Sequence, residues 1–106
     1  MRIIAGVAKG RNLATVAGAT RPTSDRAREA LFSTLLSEFG EFENLKFLDL
    51  FSGSGAVGLE ALSRGAAVVH SVEKDDSAAK TVRANQEIVE RAKPEGKFHQ
   101  IGRAHV

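Results

Sequence analysis

The sequence predicts an α/β fold: the first half of a doubly wound parallel sheet, with a small basic β-hairpin arm ahead of it. Three observations carry this reading. Two short apolar runs, Lys46–Phe51 and Ala67–Val72, lack the alternation of a half-exposed strand, as strands covered on both faces do. Each is followed by a stretch that reads as a helix between glycine and proline signals, over 56–64 and 77–92. The first run also feeds Gly53-x-Gly55-x-x-Gly58, a glycine turn that opens a helix and lets backbone approach a ligand.

Taken in order, Arg2–Ala5 and Asn12–Val16 read as short β segments around a basic turn, Ala8-Lys9-Gly10-Arg11, where Gly10 supplies permissive backbone. Residues 17–19 read as loop. Thr20-Arg-Pro-Thr-Ser-Asp25 is a helix-start cluster: Thr23 or Ser24 can cap the free amides, and Asp25 suits the positive end of the dipole. The helix runs to about Phe39 and ends at Gly40. Ala27, Ala30, Leu31, Thr34 and Leu35 fall on one face at helical period. The strand 46–51 is interrupted only by Asp49, and the helix it feeds closes at Gly65. The second strand ends at Glu73, and the third helix stops at Lys93-Pro94-Glu95-Gly96. Lys97–Gln100 begins a third strand. Both complete strands read as central ones. Burial partners of Val68, Val69, Val72, Val82 and Val89 are therefore expected partly from segments beyond this chain, and the isolated chain is not expected to be a cooperative monomer.

The chain has 106 residues, 42% hydrophobic and 26% charged, which suits one small globular domain at most. Without cysteine there are neither disulfides nor thiolate metal sites. No apolar run approaches the ~20 residues of a membrane span, and the start Met-Arg-Ile-Ile-Ala-Gly lacks a signal-peptide core, so a cytoplasmic protein is expected. The net charge of +2 hides an asymmetry. Residues 1–32 hold six basic side chains against Asp25 and Glu29, a net of +4, whereas residues 33–106 net −2. A basic arm before a mildly acidic domain suits a phosphate backbone, and a plainly solvated surface would look the same.

Two acids sharpen the glycine turn. Asp49 lies four residues before Gly53, at the carboxyl end of a strand. A buried carboxylate needs a partner: loop amides, or a cationic ligand group. A nicotinamide cofactor would bring pyrophosphate to this turn and be repelled, whereas S-adenosylmethionine brings an ammonium and a sulfonium. Glu73 lies twenty residues after Gly53 at the end of the next strand, where an acid hydrogen-bonds the ribose of an adenosine-containing cofactor; an exposed strand-end Glu is the alternative. His70 reads as a core histidine, and neither His99 nor His105 makes a metal spacing with it.

Asp49-Leu-Phe-Ser-Gly-Ser-Gly55 resembles motif I of Rossmann-like S-adenosylmethionine-dependent methyltransferases. Met1-Arg-Ile-Ile-Ala-Gly6, Lys9-Gly10-Arg11, Thr20-Arg-Pro-Thr23, Asp25-Arg26 and Arg28-Glu-Ala-Leu-Phe32 are similar to the RsmD-type 16S rRNA guanine-N2 methyltransferases, over about residues 1–100. The resemblance implies S-adenosylmethionine as cofactor and 16S rRNA or the small ribosomal subunit as partner. It implies no metal, no membrane and a monomer at full length. Cofactor contact is implied for Arg21, Thr23, Asp49, Phe51, Ser52, Gly53, Gly55, Glu73 and Lys74; Arg21 and Thr23 fit a helix-capping turn as well. Contact with rRNA phosphates is implied for Arg2, Lys9 and Arg11, for which a solvated hairpin is the alternative. Asn85 resembles an Asn of the family's following helix.

The family's catalytic Asp/Asn-Pro-Pro-Tyr-type motif has no counterpart: the only prolines are Pro22 and Pro94, and there is no Tyr. No catalytic residue is therefore assigned, and an N-terminal fragment without activity of its own is expected. The domain reading is an arm over 1–20, a truncated cofactor-binding domain over 21–100, and a non-native tail over 101–106. That tail, Ile101-Gly-Arg-Ala-His-Val106, does not fit the third strand. It translates ATC GGA AGA GCA CAC GTC, a run found in a widely used sequencing adapter. The alternatives are another methyltransferase with the same Asp-Leu-Phe-x-Gly-x-Gly motif acting on DNA or RNA, a non-catalytic RNA-binding module and, disfavoured by Asp49, a nicotinamide oxidoreductase.

Overall fold

The computed structural model describes residues 1–16, 24–50 and 52–102. Helix α1 spans Asp25–Phe39, β1 Lys46–Asp49, α2 Ala56–Ser63, β2 Val68–Val72, α3 Asp76–Glu90 and β3 Lys97–Ile101. The three strands form one parallel sheet in the order β1-β2-β3, the α/β arrangement expected. β1 stops at Asp49, two residues short of the expected end, and β3 takes in Ile101, which pairs with Val72 although it was expected to lie outside the strand.

Capping chemistry sets the helix starts. The Ser24 side chain accepts the Ala27 N–H, and the Asp75 side chain accepts the Ala78 N–H, each satisfying an amide that a first helical turn leaves free. Gly40 ends α1 at φ 71°, a left-handed value that glycine adopts without cost.

The helices lie on one face of the sheet. Phe47, Val69 and Phe98 stand in register on that face, with Phe32 of α1 stacked on Phe47 at 5.9 Å. Helix α2 crosses this row at Gly58, where an added Cβ would stand 2.9 Å from Val69 Cγ1 and 3.3 Å from Phe98 Cε2. Val69, Val82 and Val89 are fully buried within this chain; their expected dependence on segments beyond it is corrected. The opposite face is left bare by the described residues. Leu48, His70 and His99 are in register there, Leu48 is 63% exposed, and the two imidazoles stack at 5.1 Å. His70 is thus half-buried on an open face rather than a core histidine. The strands' missing alternation suggested two covered faces; one is covered, and burial alternates along β2.

The face of α1 also differs. Ala27, Ala30, Leu31 and Thr34 are exposed, and α1 turns Arg28 and Phe32 inward with Leu35 half-buried. A buried anion selects the Arg28 side. Among its described residues the arm is less regular than a hairpin, with one antiparallel bridge, between Arg2 and Asn12. Its Ile3, Ala8 and Leu13 belong to the same buried cluster as Val69 and Phe98.

Candidate functional site

The glycine turn sits at the carboxyl ends of β1 and β2, where ligands of open α/β sheets bind. Ser52 N–H donates to Val72 O at 3.1 Å and Gly55 N–H to Ser52 O at 2.8 Å, which folds the chain into a tight turn. Gly53 and Gly55 have φ of 55° and 81°, values that side-chain-bearing residues rarely adopt. Among the described residues, a Cβ at Gly53 would meet nothing within 4 Å. That space is open for a ligand. Gly55 is the N-cap of α2 and brings no side chain to cap it, so the first amides of α2 and the positive end of the helix dipole lie at the turn without a side-chain cap.

Glu73 closes this turn from the next strand. One carboxylate oxygen accepts the Gly53 N–H at 2.8 Å, and the other accepts the Asp75 N–H at 3.0 Å. It is therefore more than an exposed strand-end acid. Each oxygen keeps a lone-pair site for a ligand hydroxyl, so ordering the loop and binding a ribose are compatible tasks for one side chain. Asp49 ends β1, half-buried, in register with Ser71, and is engaged in a polar or electrostatic contact. Ser71 is fully buried, and its hydroxyl has no partner among the described residues. Ser52 is buried with its hydroxyl donating to Val72 O, and Lys74 is exposed beside Glu73. Arg21, Thr23 and Phe51 lie outside the described residues.

Asp49, Ser52, Gly53, Gly55, Glu73 and Lys74 are thus gathered at one end of the sheet. Arg2, Lys9 and Arg11 are elsewhere, exposed on the arm. What joins the two groups is a set of residues the sequence reading passed over. Glu60 of α2 is fully buried. Its carboxylate accepts Ile4 N–H at 2.9 Å, Ala5 N–H at 3.0 Å and Arg64 Nε–H at 2.8 Å. Fully buried Arg28 lies 3.8 Å from the same carboxylate and donates to Arg2 O and Asp25. Ser63, one turn on from Glu60, accepts Ala8 N–H and donates to Ala5 O. Gly6 passes so close that a Cβ would overlap the Ser63 carbonyl. The arm is clamped to the helix that the glycine turn opens. A signal existed: Glu60 is the only charged residue in the apolar run Ala56–Ser63, as Asp49 is in the strand before it.

Asp25 is the outer member of this network. Desolvation opposes its ionisation, but the Arg2 N–H and the Arg28 guanidinium outweigh it and hold the carboxyl below its usual range.

A hollow of about 840 Å³ opens at the opposite end of the sheet, near Val7, Glu43, Arg64, Lys93 and Glu95. It mixes both charge signs and lies at the amino ends of the strands, away from the glycine turn. Among the described residues there is no group of three or more His, Asp or Glu placed to hold a metal ion, and no helix is long and apolar enough to cross a membrane.

Known proteins of similar sequence and fold agree with one another. The chain is 44% identical over 94 residues to the Bacillus subtilis protein named "Putative rRNA methyltransferase YlbH", covering 88% of this chain and 50% of that protein. It is 42% identical over 86 residues to "Ribosomal RNA small subunit methyltransferase D" of Haemophilus influenzae, covering 80% of this chain and 43% of that protein. The solved Escherichia coli structure titled "Putative methyltransferase yhhF" superposes with a TM-score of 0.76 at 35% identity, over 97% of this chain and 52% of that one. The chain thus spans about half the length of the relatives it matches. The family model described as "Conserved hypothetical protein 95" matches residues 1–104, and this chain belongs to that family, the RsmD family.

Proposed function

We propose that this chain is the cofactor-binding half of an S-adenosylmethionine-dependent methyltransferase that modifies the exocyclic N2 amine of a guanine in 16S rRNA. The observation that carries the proposal is the Glu73–Gly53 contact: the acid at the end of β2 is bonded to the first glycine of the turn, with lone pairs to spare. An adenosine-containing cofactor would find its ribose acceptor and its backbone cradle already joined. The names of the relatives support the substrate.

When bound, S-adenosylmethionine supplies a methyl group on a positively charged sulfur. The residues of this chain hold it. Glu73 accepts the ribose hydroxyls; Gly53 and Gly55 admit backbone close to the methionine portion. Asp49, at the carboxyl end of β1, offers the negative charge that an ammonium and a sulfonium favour and a pyrophosphate does not. Ser52 and Lys74 flank the turn; Arg21, Thr23 and Phe51 complete the assignment from the resemblance. Arg2, Lys9 and Arg11 contact rRNA phosphates from an arm (1–20) fixed to the cofactor-binding domain (21–100).

Holding the guanine amine is a separate task. It calls for an acceptor side chain, a carbonyl and a stacking aromatic, and this chain has neither a Pro-Pro pair nor a Tyr to build the family's version. The test is radiolabelled S-adenosylmethionine with undermodified small subunits. A protein of the relatives' length beginning with this chain labels 16S rRNA at guanine N2, and the 106-residue chain alone does not. Label on another base, or on rRNA with the short chain alone, refutes the assignment. A non-catalytic RNA-binding role predicts rRNA binding by both proteins and label from neither.

A further inference from the structure

Asn85 sits on α3, fully buried, and its amide is shared between two segments far apart in sequence. Its Oδ1 accepts Ala14 N–H at 2.7 Å. Its Nδ2 donates to Ala14 O at 2.9 Å and to Ser54 O at 2.9 Å. The orientation of the amide is fixed by its partners, because an N–H can only donate and the two carbonyls can only accept. Ser54 is the residue between Gly53 and Gly55, at the centre of the glycine turn; Ala14 belongs to the arm. One side chain therefore ties the arm to the backbone of the turn.

We infer that Asn85 is a positioning residue that couples occupancy of the glycine turn to the placement of the arm. The inference rests on the reading of the turn as the S-adenosylmethionine site and extends it. A ligand that fixes the turn fixes Ser54 O where Asn85 can meet it. Asn85, held there by one donor hydrogen, is then held better against Ala14 by its oxygen and its other hydrogen. Linkage makes the effect reciprocal: an arm held by its own ligand favours the closed turn and so favours the cofactor. Glu60 and Ser63 dock the first half of the arm on α2 whatever the state of the turn. Asn85 is the direct polar link between the turn's backbone and the arm among the described residues. The Ser54 hydroxyl reaches Met1 Sδ only at 3.9 Å, a much weaker contact.

The experiment is amide hydrogen exchange on the chain across a titration with S-adenosylmethionine, on wild type, Asn85→Ala and Asn85→Asp. The Asp variant keeps the acceptor for Ala14 N–H but replaces the nitrogen that carries both donor hydrogens with one oxygen facing two carbonyls. In wild type the Ala14 amide gains protection along the same binding curve as the amide of Gly55. In both variants the turn still gains protection, at a dissociation constant about tenfold weaker, and Ala14 gains none. Because Asn85→Ala removes the Ala14 acceptor outright, Asn85→Asp carries the comparison: there a merely structural Asn85 would lower protection throughout without removing the ligand-dependent gain at Ala14. Should both variants fail to fold, the wild-type titration decides: protection confined to the turn overturns the coupling. If the ligand protects neither segment, the cofactor reading fails and the coupling falls with it.

Discussion

Replacing Glu60 by Ala should release the arm and leave the sheet standing. The carboxylate is fully buried and satisfies two arm amides and the Arg64 guanidinium, with Arg28 at 3.8 Å. Removing one partner of a buried ion pair costs about 3–5 kcal/mol, because the remaining charge stays desolvated, and two unsatisfied amides add to that. The cost has a ceiling. If the arm lifts away, its amides regain water, so the loss cannot exceed the free energy that docks the arm. Ile3 and Leu13 are buried to within a few per cent, and at about 1.5–3 kcal/mol each they contribute roughly 3–6 kcal/mol. The two figures are comparable, so opening of the arm is the cheaper response. Trypsin reads it directly, since Lys9 and Arg11 are exposed on the arm while the backbone around them is held. A loss of about 3 kcal/mol raises the open population, and with it cleavage after Lys9 and Arg11, by about a hundredfold or more. Glu60→Gln, which keeps one acceptor oxygen, falls between. Cleavage that rises equally after Lys80 and Arg83 of α3, or does not rise at all, would refute the assignment of Glu60 to arm docking.

Three further outcomes are expected. Asp25 titrates below its ordinary value of 3.8, so its contribution is full above that pH and is lost as pH falls through the lower folded value; an NMR midpoint at or above 3.8 would contradict the contacts with Arg2 and Arg28. Gly58→Val forces α2 away from Val69 and Phe98 and should cost at least the ~1–3 kcal/mol of core overpacking, measured as a lower urea midpoint; an unchanged midpoint would mean that α2 does not cross the sheet at Gly58. The sheet face that the described residues leave bare, with Leu48 63% exposed, should make the chain self-associate in solution; Leu48→Lys should shift light-scattering mass towards the monomer, and a monodisperse wild-type monomer would contradict this.

The local features were legible because local chemistry determines them. The glycine turn, the Ser24 cap, the Gly40 stop and the two strand-end acids Asp49 and Glu73 are each set by a few adjacent residues. The face of α1 was not legible. Ala27 and Leu31 make the more apolar stripe, yet Arg28 turns inward because Glu60, thirty-two residues later, offers it a buried anion. The docking of the arm was hidden for the same reason, since its partners Glu60, Ser63 and Asn85 lie on α2 and α3. Apolar strands suggested two covered faces, and a pattern of residue types cannot say which cover is within the chain. The glycine spacing, by contrast, specified the turn.

The central claim is that the glycine turn and Glu73 together hold S-adenosylmethionine. Isothermal titration of the chain with S-adenosylmethionine, with its analogue lacking the ribose hydroxyls and with NAD tests it most directly. S-adenosylmethionine should bind one to one, and NAD should not bind, because the carboxylate of Asp49 at the carboxyl end of β1 disfavours a pyrophosphate at this turn. Glu73→Ala should weaken S-adenosylmethionine by about 1.5–3 kcal/mol, the worth of a charge-assisted hydrogen bond. Part of that loss reflects the freed Gly53 amide, so the analogue separates the two roles: it should bind wild type more weakly than S-adenosylmethionine does, and Glu73→Ala should no longer tell the two ligands apart. A Glu73→Ala chain that binds S-adenosylmethionine as tightly as wild type, or a wild type that prefers NAD, would contradict the account.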